Sequence, residues 1–226
     1  MRKALSIIFL SVMLPWHLQA QTAIELLQKV SNFLTQQKWE EATNIYQQAI
    51  GKDVERADIY YRVEVDKNSP AALSFAEHLA VYYKNTRDYS KAYNYYKILL
   101  AKEPNDASFL SGCAESAFGK GKEDEAVALY DKVINLNPNN LRANIFLGSY
   151  FFMQAEQDKR KLDNNFKRIT APSSMQKARY KDDLKALYTS GYHKAKNYLD
   201  NVVKLFPSAE AKKMLITIAE REKEME

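Results

Sequence analysis

The chain has 226 residues, and its formal net charge of +5 at pH 7 is too small to favour nucleic-acid binding, which needs a concentrated basic face. It contains only 6 Gly and 6 Pro and is rich in helix-forming residues, so the composition predicts helices and almost no sheet. Its single cysteine, Cys113, excludes an intramolecular disulfide. Because Cys113 lies among apolar positions of a predicted helix, we expect it in the core.

The first twenty residues have the layout of a secretory signal peptide. Arg2 and Lys3 precede an apolar run from Ala4 to Leu14, and the segment ends on the small residue Ala20. This run is too short for a transmembrane helix, which needs roughly 20 residues. We predict cleavage near Ala20, which removes two basic and no acidic residues and leaves a net charge of +3. The mature protein is then periplasmic or secreted; a retained membrane anchor is the alternative.

Residues 22–50 predict two amphipathic helices. Apolar residues recur at helical spacing in both: Leu26, Leu27, Val30, Phe33 and Leu34 in the first, and Trp39, Ala42, Ile45, Tyr46 and Ala49 in the second. In the next stretch, 52–69, apolar residues alternate as in a strand, at Ile59, Tyr61, Val63 and Val65. This stretch has no obvious pairing partner, so we interpret it as a helical extension or an ordered connector.

Two further helical pairs repeat at a fixed distance along the chain. Ala92, Tyr96 and Pro104 recur 34 residues later as Ala126, Tyr130 and Pro138. Three matches at one offset indicate a structural repeat. An alanine allows two helices to approach closely, and the tyrosine then fills the space beside their contact.

A fourth helical pair begins at 141 and is interrupted. Its first helix carries Leu147, Gly148 and Phe151, but the matching second helix follows only at 190–207. We predict that the intervening insertion, 155–189, is an antiparallel helical hairpin; a flexible charged loop is the alternative. Residues 208–226 predict a final amphipathic helix, which caps the exposed end of a repeat array.

The placement of Trp39, Ala42 and Tyr46 resembles the second helix of a tetratricopeptide repeat (TPR). The resemblance extends over most of the chain after Ala20. It implies an all-α, TPR-like solenoid of about four helical hairpins in one domain, 21–226. The repeats are expected at 23–54, 73–106, 107–140, and 141–154 together with 190–207.

In the TPR family, the first helices of successive repeats line a concave groove that binds a peptide or a protein segment. The resemblance therefore implies a non-catalytic protein-protein interaction scaffold of the cell envelope, holding a protein or peptide partner in this groove. Glu77 and Glu115 replace the Lys and Asn of family members that bind a C-terminal carboxylate, which disfavours that ligand class. The groove candidates, each of which has the alternative of being an ordinary solvated residue, are Ser74, Glu77, Val81, Ser108, Ser111, Glu115, Arg142, Ile145 and Ser149.

We predict no catalytic, cofactor-binding or metal-binding residues. His78 and His193 lie far apart in the sequence, and no phosphate-binding loop or catalytic triad pattern is found. The insertion holds nine basic and five acidic residues, a bias that allows peripheral contact with an acidic partner or an anionic membrane. Interleaved charge of this kind is more often a solvated face. An alternative function is the binding of an envelope glycan or lipid through Tyr150, Phe151, Phe152 and Met153.

Overall fold

The computed structural model describes residues 22–224, and the predicted signal segment 1–20 lies outside this range. No strand occurs between residues 22 and 224, which confirms the predicted all-α class. Helix α1 covers 22–35. It is followed by α2 (Trp39–Lys52), α3 (Val54–Glu64), α4 (Pro70–Asn85), α5 (Tyr89–Lys102), α6 (Ala107–Gly119), α7 (Glu123–Leu136), α8 (Leu141–Lys167), α9 (Ser174–Leu187), α10 (His193–Leu205) and α11 (Ala209–Lys223).

The chain forms two compact units, whose boundary falls within α7. Unit 1 ends at Ala126, and unit 2 begins at Val127. Among residues 22–224, no helix is both long and apolar enough to cross a membrane.

The turns inside the first three helical pairs share one backbone feature. Gln37, Arg87 and Gly121 all have positive φ, at 57°, 64° and 75°. Arg87 and Gly121 are 34 residues apart, so the sequence period is also a period of backbone conformation. Glycine adopts this left-handed conformation without the steric cost that the other two residues carry.

The extra residues between α2 and α4 form helix α3, which does not separate its neighbours. The ring of Tyr46 on α2 stacks on that of Phe75 on α4, with centroids 4.0 Å apart and an interplanar angle of 11°. The Tyr46 hydroxyl donates a hydrogen bond of 2.8 Å to the carbonyl of Ala57 on α3. Helix α3 therefore lies beside the α2–α4 contact, and the stacking of helical pairs continues past it.

Most of the stretch 52–69 is helical, although its apolar residues alternate as in a strand. Asp53 caps α3 by accepting a hydrogen bond of 3.0 Å from the amide of Arg56. Ile59 and Val63 are exposed, whereas Tyr61 and Val65 are buried. The alternation of apolar residues thus reflects one buried side of a short helix and its C-terminal turn.

Unit 2 is built on two long antiparallel helical segments. Helix α8 has 27 residues, or about 40 Å at 1.5 Å per residue. The second segment is continuous from Ser174 to Leu205, because the π-helical turn Tyr188–Tyr192 joins α9 directly to α10. At the open end of the pair, Phe166 on α8 stacks on Tyr180 on α9, with ring centroids 4.2 Å apart. Nearer α10, a methyl group on Gly191 would lie 3.0 Å from Ala155 Cβ, so the two helices remain in close contact.

Candidate partner-binding site

In unit 1, the candidate residues of α4 lie on an accessible face of that helix. Ser74 and Glu77 are half-buried, and Val81 is 38% exposed. The opposite face is in the core, where Phe75, Ala76 and Leu79 are fully buried. The helical period of 3.6 residues separates these two sets because positions 74, 77 and 81 fall on one stripe.

The candidate residues of α6 differ in their solvent exposure. Ser108 is exposed and Glu115 is half-buried, but Ser111 is only 6% exposed, and its hydroxyl donates a hydrogen bond of 2.7 Å to the Ala107 carbonyl. We therefore expect no direct contact between Ser111 and a partner. The Lys84 ammonium on α4 donates to a Glu115 carboxylate oxygen at 3.2 Å, so the accessible faces of α4 and α6 lie side by side.

In unit 2, the candidates Arg142, Ile145 and Ser149 follow each other along α8. Arg142 is exposed, Ile145 is 43% exposed and Ser149 is half-buried. Ile145 and Ser149 line an open cavity of about 200 Å³ between α8, α10 and α11. The remaining lining residues are Leu199, Val202, Ser208, Glu210, Ala211 and Met214.

The cavity contains residues that the sequence did not identify as candidates. Leu199 and Val202 have the helical period of an ordinary core face, and they are indeed almost fully buried. Met214 and Glu210 belong to the predicted capping helix, and no local pattern in the sequence places that helix against α8. Only the folded chain brings these side chains to Ile145 and Ser149.

Gly148 sets the close approach of the two helices that form the cavity floor. A methyl group at this position would lie 2.9 Å from Leu199 Cδ2 and Cγ, closer than atoms in van der Waals contact. Because glycine has no side chain, α10 packs directly against the α8 backbone there. Leu199 is held in place at the base of the cavity as a result.

Of the four residues of the alternative function, Tyr150 and Phe151 pack edge to face, with ring centroids 5.4 Å apart. Phe151 stacks on Tyr198, with ring centroids 6.0 Å apart, and the Lys194 ammonium lies 3.9 Å from the centroid of the same ring. Phe152 packs edge-on to Tyr192, and Met153 is 66% exposed. None of the four lines the cavity described above. Glycan or lipid binding through these four residues therefore stays a prediction.

The titratable groups of the described chain show no arrangement typical of catalysis. Burial raises the pKa of the Cys113 thiol to about 11, so the thiol is protonated at neutral pH and is a poor nucleophile. Burial lowers the pKa of His78, which keeps this imidazole neutral. Within residues 22–224, no three His, Cys, Asp or Glu side chains are grouped so that they could hold a metal ion.

The insertion is fastened to the capping helix by a network of charges. Arg221 on α11 donates two hydrogen bonds to the Glu156 carboxylate on α8, at 2.9 and 3.1 Å. Lys159 pairs with both Asp163 and Glu224, each at 2.9 Å. The partners outside the insertion, Arg221 and Glu224, carry opposite charges, so these ion pairs leave its basic excess unchanged.

Comparisons with known proteins agree with this architecture. A tetratricopeptide repeat family model matches residues 79–140. The crystal structure of a candidate protein-binding protein from Bacteroides ovatus is 42% identical, covers 91% of this chain and 100% of its own, and has a TM-score of 0.84. No protein of curated function matches the chain.

Two more distant crystal structures superpose loosely. A TPR repeats protein from Bacteroides fragilis is 16% identical, with 87% of this chain and 97% of that chain covered and a TM-score of 0.38. A tetratricopeptide repeat protein from Parabacteroides merdae is 15% identical, with 88% and 99% covered and a TM-score of 0.40.

Paired helices, repeated turns and accessible first-helix faces define an α-helical repeat protein of the solenoid class. Residues 79–140 of the chain belong to the tetratricopeptide repeat family.

Proposed function

We propose that this protein is a non-catalytic scaffold that binds a partner protein or peptide along the first helices of its repeats. The observation that supports the proposal is the joint face of α4 and α6. Lys84 and Glu115 hold these helices side by side, and Ser74, Glu77, Val81 and Ser108 remain accessible there. The relative from Bacteroides ovatus, named a candidate protein-binding protein, supports the same kind of function.

We also propose that the protein acts in the cell envelope, in the periplasm or outside the cell. The support is the sequence pattern of residues 1–20, whose basic start, apolar run and terminal small residue are typical of a cleaved signal peptide. The partner is then another exported protein.

The function can be tested by affinity capture. The chain 21–226 is immobilised and exposed to cell-envelope extract from the organism that encodes it, and bound proteins are quantified by mass spectrometry. A double variant, Glu77→Lys with Ser108→Arg, changes the proposed face. The control, Glu41→Lys with Asn94→Arg, makes the same change in net charge at exposed positions of second helices α2 and α5.

We expect the face variant to reduce capture of a specific partner at least tenfold and the control to leave it unchanged, because a few central residues dominate binding energy. Equal capture by both variants, or no enrichment over an unrelated repeat protein, contradicts the groove function.

A further inference from the structure

The cavity of unit 2 has the form of a binding pocket for one side chain. Its volume of about 200 Å³ exceeds the ~150 Å³ of an apolar protein cavity that holds benzene. Leu199, Val202 and Ala211 are buried at its wall, and Ile145 is 43% exposed at its margin. These dimensions accommodate a phenyl or indole group and leave an aliphatic side chain loosely packed.

Met214 strengthens the case for an aromatic occupant. It is half-buried and lines the cavity. A thioether makes favourable contacts with aromatic rings, and the unbranched methionine side chain adapts to their shape. None of the described residues that line the cavity is aromatic, so an incoming ring displaces no ring of residues 22–224 from it.

The polar groups of the cavity indicate what flanks the aromatic side chain. Ser149 is half-buried, and its hydroxyl has no hydrogen-bond partner among residues 22–224. Glu210 is exposed and makes no ion pair within the same range. None of the described residues that line the cavity is Lys, Arg or His. A ligand with hydrogen-bond donors and a positive charge therefore fits this margin better than one with a carboxylate.

We propose that this cavity anchors an aromatic side chain of the bound partner segment, with a basic residue next to it facing Glu210. The proposal rests on the proposed function, because the aromatic side chain belongs to the partner that the scaffold binds. Because Gly148 has no side chain, α10 and Leu199 pack against α8 in the unliganded chain, and the pocket is already formed. A preformed pocket loses little conformational entropy on binding.

A library of random peptides displayed on phage tests the anchor. Peptides are selected on the chain 21–226 and sequenced. Their affinities for the unchanged chain are then compared with their affinities for three variants. Ser149→Phe fills the cavity from its own wall. Asn197→Phe adds the same ring at an exposed site on α10 away from the cavity. Glu210→Gln removes the negative charge at the margin without changing the packing.

We expect the selected peptides to share a Phe, Tyr or Trp beside a Lys or Arg. Ser149→Phe is expected to weaken their binding at least tenfold, and Asn197→Phe is expected to have no effect. Glu210→Gln is expected to abolish the preference for the basic neighbour while the aromatic preference remains. Selected peptides without an aromatic residue, or peptides insensitive to Ser149→Phe in a variant with native circular dichroism, overturn the anchor and leave the scaffold function standing.

A second measurement examines the pocket alone. The methionine methyl groups are labelled with ¹³C, and the unchanged chain is titrated by NMR with N-acetylphenylalaninamide or N-acetylalaninamide. A saturable ring-current shift of the Met214 methyl group with the first probe and none with the second supports the aromatic site. No shift at millimolar concentration overturns it. If the probe shifts the Met214 methyl signal but the phage library yields no binding peptide, the aromatic site is supported and the scaffold function is contradicted.

Discussion

Asp58 is a buried acid that joins α3 to the helical pair that follows it. The Tyr83 hydroxyl donates to one carboxylate oxygen at 2.8 Å, and the Tyr95 hydroxyl donates a short hydrogen bond to the other. Arg62 Nε donates to the same carboxylate at 3.0 Å. Burial, together with the hydrogen bond to Asp58, raises the pKa of both tyrosines, so they remain neutral donors.

Asp58→Ala is expected to destabilise unit 1 by about 3 kcal/mol, because two buried hydroxyls lose their acceptor. Asp58→Asn keeps one acceptor oxygen, and we expect a loss of about 1–2 kcal/mol. Urea unfolding of the chain 21–226 measures both. Glu64→Gln, which removes an exposed acid from the same helix, is the control and should change stability by less than about 0.5 kcal/mol. A comparable effect at Glu64 contradicts a special role for Asp58.

Two glycines give opposite expectations for the same substitution. A methyl group on Gly112 of α6 would overlap the ring of Tyr96 on α5, whereas one on Gly51 of α2 would meet nothing within 4 Å. We expect Gly112→Ala to destabilise by about 2 kcal/mol through overpacking. Gly51→Ala should stabilise by about 0.5–1 kcal/mol, because alanine favours the helix. Thermal unfolding distinguishes these outcomes, and a stabilising Gly112→Ala is the result that contradicts the close packing of α5 and α6.

At the scale of elements, α11 connects to α8 through Glu156 as well as through the apolar cavity wall. The Glu156 carboxylate accepts two hydrogen bonds from Arg221 and one of 2.6 Å from the Tyr192 hydroxyl. The bonds from Arg221, outweighing the effect of burial, hold the pKa of Glu156 below its usual value. Three elements, α8, the π-helical turn and α11, therefore meet at one carboxylate.

Glu156→Gln is expected to cost about 1–2 kcal/mol at pH 7, since Glu156 and Arg221 are only partly buried. The folded protein has the lowered pKa, so the stabilising effect of the charge is complete above the unfolded pKa of about 4.5. It is lost as the pH falls from this value through the folded pKa. We expect the difference between wild type and variant to shrink over this acid range in urea unfolding.

The control for this experiment is Asp158→Asn. Asp158 also lies on α8, but its ion pair with Lys161 is an i,i+3 contact on the same helix, with side chains 48% and 62% exposed. Such a pair contributes little to stability. A pH-independent difference at Glu156, or an equal loss at Asp158, would show that the charge of Glu156 does not stabilise the contact between α8 and α11.

At the scale of the whole molecule, residues 1–20 are predicted to be a signal peptide that is removed on export. We expect the exported protein to begin at Gln21, directly after Ala20, because signal peptidases cleave after small residues. Expression in a bacterium with an intact secretion system, followed by intact-mass measurement and N-terminal sequencing of the periplasmic fraction, checks this. Ala20→Arg should prevent cleavage and leave the full-length mass. A cytoplasmic wild-type protein that retains Met1 contradicts the prediction.

The repeats of this protein were predictable because their signals are local. Apolar residues three and four positions apart specify a helical face, and Ala92, Tyr96 and Pro104 recur 34 residues later. Positive φ at Arg87 and Gly121 shows that the turns follow the same spacing. The strand-like alternation at 59–65 was ambiguous because a short apolar run does not distinguish a strand from one side of a helix.

The sequence by itself determined the helical repeats, the tetratricopeptide repeat match of residues 79–140 and the accessible face of α4. Only the tertiary structure decided that Ser111 is buried, that Asp58 holds α3, and that Met214 lies across a cavity from Ile145 and Ser149. The contact between Arg221 and Glu156 joins residues 65 positions apart. Contacts of this kind depend on helix crossing angles and side-chain packing, and periodicity within one helix does not specify which other helix covers its face.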